Sequence, residues 1–248
     1  MRSRSMLFGC AAAAVWLFAG HALAEAQSAR QGVHWQAVLA AGDAAEAVFD
    51  DATRAIGHRL LAAGVPATDI HRLSASAGQV HDGVEPATIP LLLRRIAGLR
   101  PRSGERCLVF LTSHGERGAG LWLARSGAAL GAEALARALA QGCAGAPTVV
   151  IVSGCYTGAF VAGAMARPNR VILTAARSDR PSFGCQVGRR YTFFDACLIE
   201  ALPRFATWRA AFADTKSCVA EMEHRLGERP SEPQAYFGAA VADIGIGF

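Results

Sequence analysis

Two short apolar runs constrain this chain more than anything else in it. Cys107-Leu-Val-Phe-Leu-Thr-Ser113 ends at His114-Gly115, and Thr148-Val-Val-Ile-Val-Ser153 ends at Gly154-Cys155. Each run is short, rich in β-branched or aromatic residues and stopped by glycine, the pattern of a strand buried on both faces of a parallel sheet. Such sheets gather their sites at the carboxyl ends of the strands. Two strands ending this way bring an imidazole and a thiol to one edge, which is the minimum for nucleophilic catalysis.

The rest of the chain supplies the alternation that a parallel sheet needs. Trp35 to Gly42 reads as a first strand, and Phe49, Ala52, Ile56 and Leu60 mark the apolar face of a helix closed by Gly64. A weaker strand, Ile70 to Leu73, precedes a helix announced by Pro86 and carried by Ile89, Leu92, Ile96 and Leu99. Between the two key runs, Gly120 to Gly127 suggests a small hairpin and Ala132 to Ala140 a short helix ended by Gly142. Past Cys155 the pattern gives a helix over Gly158 to Met165, a strand over Arg170 to Ala176 and an aperiodic surface loop from Arg177 to Arg190. Helices over Tyr191 to Leu202 and Thr207 to Leu226 and a last apolar segment, Ala235 to Ile244, complete the chain. The expected fold class is α/β, a three-layer α/β/α sandwich around a mainly parallel sheet.

Arg2 and Arg4 precede an apolar stretch from Met6 to Gly20, and Ala22-Leu-Ala24 offers a cleavage site, so residues 1–24 read as a signal peptide. Residues 25–248 then form a single domain in the periplasm or outside the cell. No later segment approaches the ~20 apolar residues of a membrane helix, so no stable membrane span is expected. Loss of the two leader arginines lowers the formal net charge of +5 by two. The remaining arginines are scattered, which argues against a nucleic-acid partner.

Six of the seven cysteines lie beyond the leader. Export makes disulfides plausible. If Cys155 is kept for chemistry, at least one other thiol stays unpaired, and Cys107, inside a buried strand, is the expected inert one. Cys185, Cys197 and Cys218 are the expected bridge candidates. No Cys or His pair has ligand spacing, so neither a metal nor another cofactor is expected.

A thiol attacks as thiolate, and His114 is suited to take its proton and later to protonate an amine leaving group. Oxyanion donors are available from Gly115 and from the amide of Cys155 itself. A helix starting near Tyr156 would add a positive dipole end beneath the thiolate.

Four stretches carry a resemblance to a known family: Ser113-His114-Gly115, the Gly120-Leu-Trp-Leu hairpin, Ser153-Gly-Cys-Tyr-Thr-Gly158, and Thr174-Ala-Ala-Arg-Ser-Asp-Arg-Pro-Ser-Phe-Gly184. Together they resemble bacterial members of the legumain family, cysteine endopeptidases of caspase-like fold related to the transamidase that attaches lipid anchors. The resemblance spans about Trp35 to Gly238. It implies a His114/Cys155 dyad that hydrolyses peptide bonds of peptide or protein substrates through a thioester, with Gly115 helping the oxyanion. Ser182 matches a family serine in the specificity region, so Ser182 and Ser153 are candidate substrate-binding residues. Legumain has an acidic residue where this chain has Ser153. Its Arg-His pair after the first strand is replaced by Phe49-Asp50-Asp51, the two aspartates reading as a solvated helix start.

Two other readings compete. Ser153-Gly-Cys-Tyr-Thr157 also fits the nucleophile elbow of an α/β-hydrolase, whose histidine must follow the nucleophile. Only His224 does, and it sits mid-helix among charged residues. The third reading is a secreted binding protein that keeps the fold without the activity.

Overall fold

A computed structural model describes residues 33–186 and 188–248; the expected signal peptide lies outside them. The central sheet has seven strands: β1 (Trp35–Ala41), β2 (Ile70–Ser74), β3 (Val84–Pro86), β4 (Arg106–Thr112), β8 (Thr148–Ser153), β9 (Arg170–Thr174) and β10 (Gln234–Phe237). Their spatial order is β10-β9-β8-β4-β1-β2-β3. All neighbours are parallel except β10, which returns antiparallel to β9. A small antiparallel sheet, β5 (Gly115–Glu116), β6 (Gly120–Leu123) and β7 (Ala128–Leu130), grows out of the end of β4.

Because side chains alternate along a strand, β4 and β8 feed two cores at once. Leu108, Phe110, Val149 and Ile151 face a layer formed by α1 (Val48–Ala62), α4 (Phe193–Ala201) and α5 (Trp208–Leu226). Val109, Leu111, Val150 and Val152 face α2 (Ile89–Ala97) and α3 (Ala132–Gly142). Each of these side chains is fully buried, worth about 2 kcal/mol apiece relative to water. This double burial anchors the two strands whose ends carry His114 and Cys155.

Several expectations change in detail. Pro86 closes β3 instead of opening a helix; α2 starts at its cap Thr88, which accepts from the Leu91 N–H, with Pro90 in the first turn. Cys107 is not an inert thiol. Its side chain points from β4 towards the end of α3 and forms a disulfide with Cys143, Cα to Cα 6.3 Å. A strand position facing a helix terminus gives a cysteine there a partner that hydropathy alone does not reveal. The second bridge, Cys197–Cys218, ties α4 to α5, and Cys155 and Cys185 are free. Among the described residues no helix is long and apolar enough to cross a membrane.

The segment after Cys155 is not an α-helix either. It forms two 3₁₀ turns, Thr157–Val161 and Gly163–Met165, broken by extended Ala162 and by Gly163 at φ 60°. A five-residue 3₁₀ turn has no developed macrodipole, so the expected dipole contribution to the thiolate falls away.

Candidate active site

β4 and β8 run side by side in register, with Thr112 opposite Ser153. One further hydrogen bond, Ser113 N–H to the Ser153 carbonyl at 3.0 Å, continues the ladder. Continued, that register sets His114 opposite Cys155, each two residues past the last paired position of its strand.

Gly115 closes the remaining gap. A Cβ on it would overlap the carbonyl of Cys155, so only glycine lets the His114-Gly115 backbone lie against the cysteine. The Cys155 N–H makes no hydrogen bond with the described residues, which leaves it free for an incoming oxygen.

His114 is held by its surroundings rather than by an acid. Its carbonyl accepts from Trp122 N–H at 2.9 Å, binding the strand end to β6. Its ring meets the buried Phe49 of α1 edge to face, centroids 5.2 Å apart. Among the described residues no carboxylate hydrogen-bonds to the imidazole.

Cys155 is half-buried. Ser182 N–H donates to its Sγ at 3.3 Å, while the thiol faces the Ser182 carbonyl at 3.5 Å and the Ser182 Oγ at 3.8 Å. The backbone of Ser182 therefore offers a donor to the thiolate form. The loop carrying Ser182 is fixed from outside: Arg177 pairs with Asp179 and Glu232, Arg180 pairs with Glu232, and Arg177 N–H donates to the Ser231 carbonyl. Ser231 N–H is held in turn by both oxygens of the buried Glu223.

Ser153 is 1 % exposed and lies below the edge rather than on it. Its neighbour there is Asp195 on α4, wholly buried, whose Oδ2 accepts from Thr112 Oγ1 at 2.7 Å and whose Oδ1 has no hydrogen-bond partner. Burial pushes the Asp195 carboxyl up to about 6, a rise that the hydroxyls of Thr112, Ser153 and Thr192 partly offset. The strands delivering His114 and Cys155 thus both rest on one buried carboxyl.

Cys185 sits nearby, packed against Ala41, Val48 and Phe49. Burial first, then the negative neighbours Cys155, Asp195, Glu46 and Asp43, push its thiol up to about 12. It stays protonated at neutral pH and is a poor nucleophile.

The Phe49-Asp50-Asp51 stretch is placed differently from the sequence expectation. Asp50 is 4 % exposed, accepting from Ser74 Oγ at 2.9 Å with Arg72 at 3.8 Å, and only Asp51 is a helix-surface residue, paired with Arg54 at 2.9 Å. A carboxylate at the start of α1 is drawn inward because the end of β2 presents it with a hydroxyl and a cation. His224 is exposed in the last turn of α5. Among the described residues no cluster of His, Cys, Asp and Glu is arranged to hold a metal.

Sequence reasoning passed over Asp195 and the contact of Phe49 with His114, and it counted Cys185 among the bridge candidates, whereas that thiol is free. Asp195 left a trace: Thr192 caps α4 by accepting from Asp195 N–H, a Thr-x-x-Asp start that is readable in sequence. The other two depend on how α1 and the loop before α4 fold over the sheet edge.

The profile described as the peptidase C13 family matches residues 98–239, more than half of the chain, and spans both His114 and Cys155. No curated protein matches the chain at a significant level. A mainly parallel sheet flanked by helices, with a free cysteine at its carboxyl edge, is the architecture this match calls for, and the chain belongs to the peptidase C13 family, the legumain-type cysteine peptidases.

Proposed function

We propose that this cysteine peptidase is an exported endopeptidase that hydrolyses peptide bonds with Cys155 as nucleophile and His114 as general acid and base. The supporting observation is the contact of the Gly115 backbone with Cys155 at the shared ends of β4 and β8. His114 takes the Sγ proton as sulfur attacks the scissile carbonyl, and the N–H groups of Cys155 and Gly115 receive the oxyanion. His114 then protonates the departing amine, leaving a thioester on Cys155. Water, deprotonated by His114, hydrolyses the thioester and restores the thiol. Ser182 N–H steadies the sulfur between these steps. In this reading Ser182 borders the substrate, and Ser153 supports the site from beneath through the Asp195 cluster.

A mixed peptide library treated with the wild type and with Cys155→Ala, His114→Ala and His224→Ala variants tests this reading. Cleavage is expected from the wild type and His224→Ala, with a loss of at least about 10³-fold in the other two. Undiminished turnover by Cys155→Ala, or loss confined to His224→Ala, would overturn the assignment.

A further inference from the structure

The rim around Cys155 carries three arginines, and two of them are neutralised. Arg177 pairs with Asp179 and with Glu232, both at 2.6 Å, and Arg180 pairs with Glu232 at 3.3 Å. Arg117, in the turn between β5 and β6, pairs with no carboxylate among the described residues. Its guanidinium lies over the ring of Tyr156, 5.0 Å from the centroid, and donates to the Asp179 carbonyl at 3.1 Å.

Tyr156 directly follows Cys155. It holds a left-handed φ of 60°, which costs a non-glycine residue about 1 kcal/mol. Its N–H is fixed to the Arg180 carbonyl at 2.9 Å. A strained residue pinned at its backbone thus offers its ring as a platform for a cation. The guanidinium keeps most of its five donors unspent.

We propose that Arg117, seated on Tyr156, binds an acidic side chain of the substrate within about three residues of the scissile bond. One Cα step of about 3.8 Å, the length of the Tyr156 side chain and the 5.0 Å ring contact together keep the guanidinium within about 13 Å of the Cys155 Cα, a span of no more than about four extended residues. A guanidinium fork matches a carboxylate in two parallel hydrogen bonds. Arg177 and Arg180, being already paired, do not compete for the same group. The inference rests on Cys155 being the nucleophile, and it names the substrate class that this nucleophile sees.

The test uses peptides that carry Glu, in turn, at each of three positions on either side of the cleaved bond, each compared with its Gln analogue. The wild type is expected to cleave the Glu peptide about fivefold better, by kcat/KM, at one or two of these positions, with the ratio shrinking at high salt. Arg117→Gln should bring that ratio close to one, Arg117→Lys should keep part of it, and Arg117→Glu should invert it. Binding of the same peptides to Cys155→Ala, followed by fluorescence anisotropy, reads the subsite without the chemistry. There the Glu peptide should bind more tightly, and adding Arg117→Gln should remove the difference. Equal treatment of Glu and Gln in both assays, or a preference that survives Arg117→Gln, overturns the proposal. A binding preference without any cleavage by the wild type overturns the peptidase mechanism instead and leaves the subsite standing.

Discussion

At Gly115 two backbones meet, and the lack of a side chain there is what permits the contact. Gly115→Ala should therefore act on chemistry more than on folding: the added methyl must push the His114 strand end away from Cys155 and, in the proposed mechanism, displace an oxyanion donor. The expected loss in kcat is about 10²-fold or more, with a far-ultraviolet dichroism spectrum like that of the wild type. A fall of only two- or threefold would show that the two strand ends are not coupled as described. That His114, Gly115 and Cys155 lie at the ends of β4 and β8 was legible in the sequence, because glycine-stopped buried strands announce both their depth and their ends. Cys107 was not. Its disulfide with Cys143 depends on where α3 stops over the sheet, a distance that no local pattern encodes. Asp50 was misplaced for a similar reason, since the hydroxyl and cation that draw it inward, Ser74 and Arg72, come from a different element.

Between elements, Asp195 joins α4 to the ends of β4 and β8. It sits in the first turn of α4 and touches the end of β4, with no cation beside it to balance a charge. Its folded carboxyl titrates at about 6, against an ordinary value of 3.8. The folded state therefore holds this proton more tightly than the unfolded chain, and the contribution to stability is largest at low pH and is lost as pH rises from about 4 through 6. Two units correspond to roughly 3 kcal/mol. Urea unfolding at pH 4.5 and 7.5 should show the wild type losing about 2 kcal/mol of this relative to Asp195→Asn, which carries no titrating proton, since at pH 4.5 the unfolded carboxyl is already mostly ionised; parallel pH profiles for the two proteins would refute this. The same helix is tied to α5 by Cys197–Cys218, which closes 21 residues of chain. Replacing both cysteines with serine should cost about 3 kcal/mol through the freedom regained by the unfolded chain, read as a lower thermal midpoint with unchanged cleavage of peptides. Helix α4 was expected from its apolar content, whereas the 3₁₀ turns after Cys155 were not. Gly158 there meets the backbone of Ser178, and Gly163 turns the chain at positive φ, so close packing overrides what looked like helical periodicity.

For the whole molecule, the architecture was readable because the alternation of strands and helices dictates a parallel sheet, and a parallel sheet dictates which edge is functional. The loops around Cys155 were less readable in space: Ser182 was named only through the family resemblance, and the positions of Arg117, Tyr156 and Cys185 are set only when the layers close. Those loops surround one thiol that is half-exposed and unpaired, while the neighbouring Cys185 thiol is kept protonated by burial. The central claim is that Cys155 forms the covalent intermediate. Acid-quenching the protein shortly after mixing with an activated peptide ester, and mapping the acyl group by mass spectrometry, tests it most directly. The expected result is one acyl adduct per chain, located on Cys155 and absent in His114→Ala; an adduct on Cys185, or turnover with no adduct on Cys155, would contradict it.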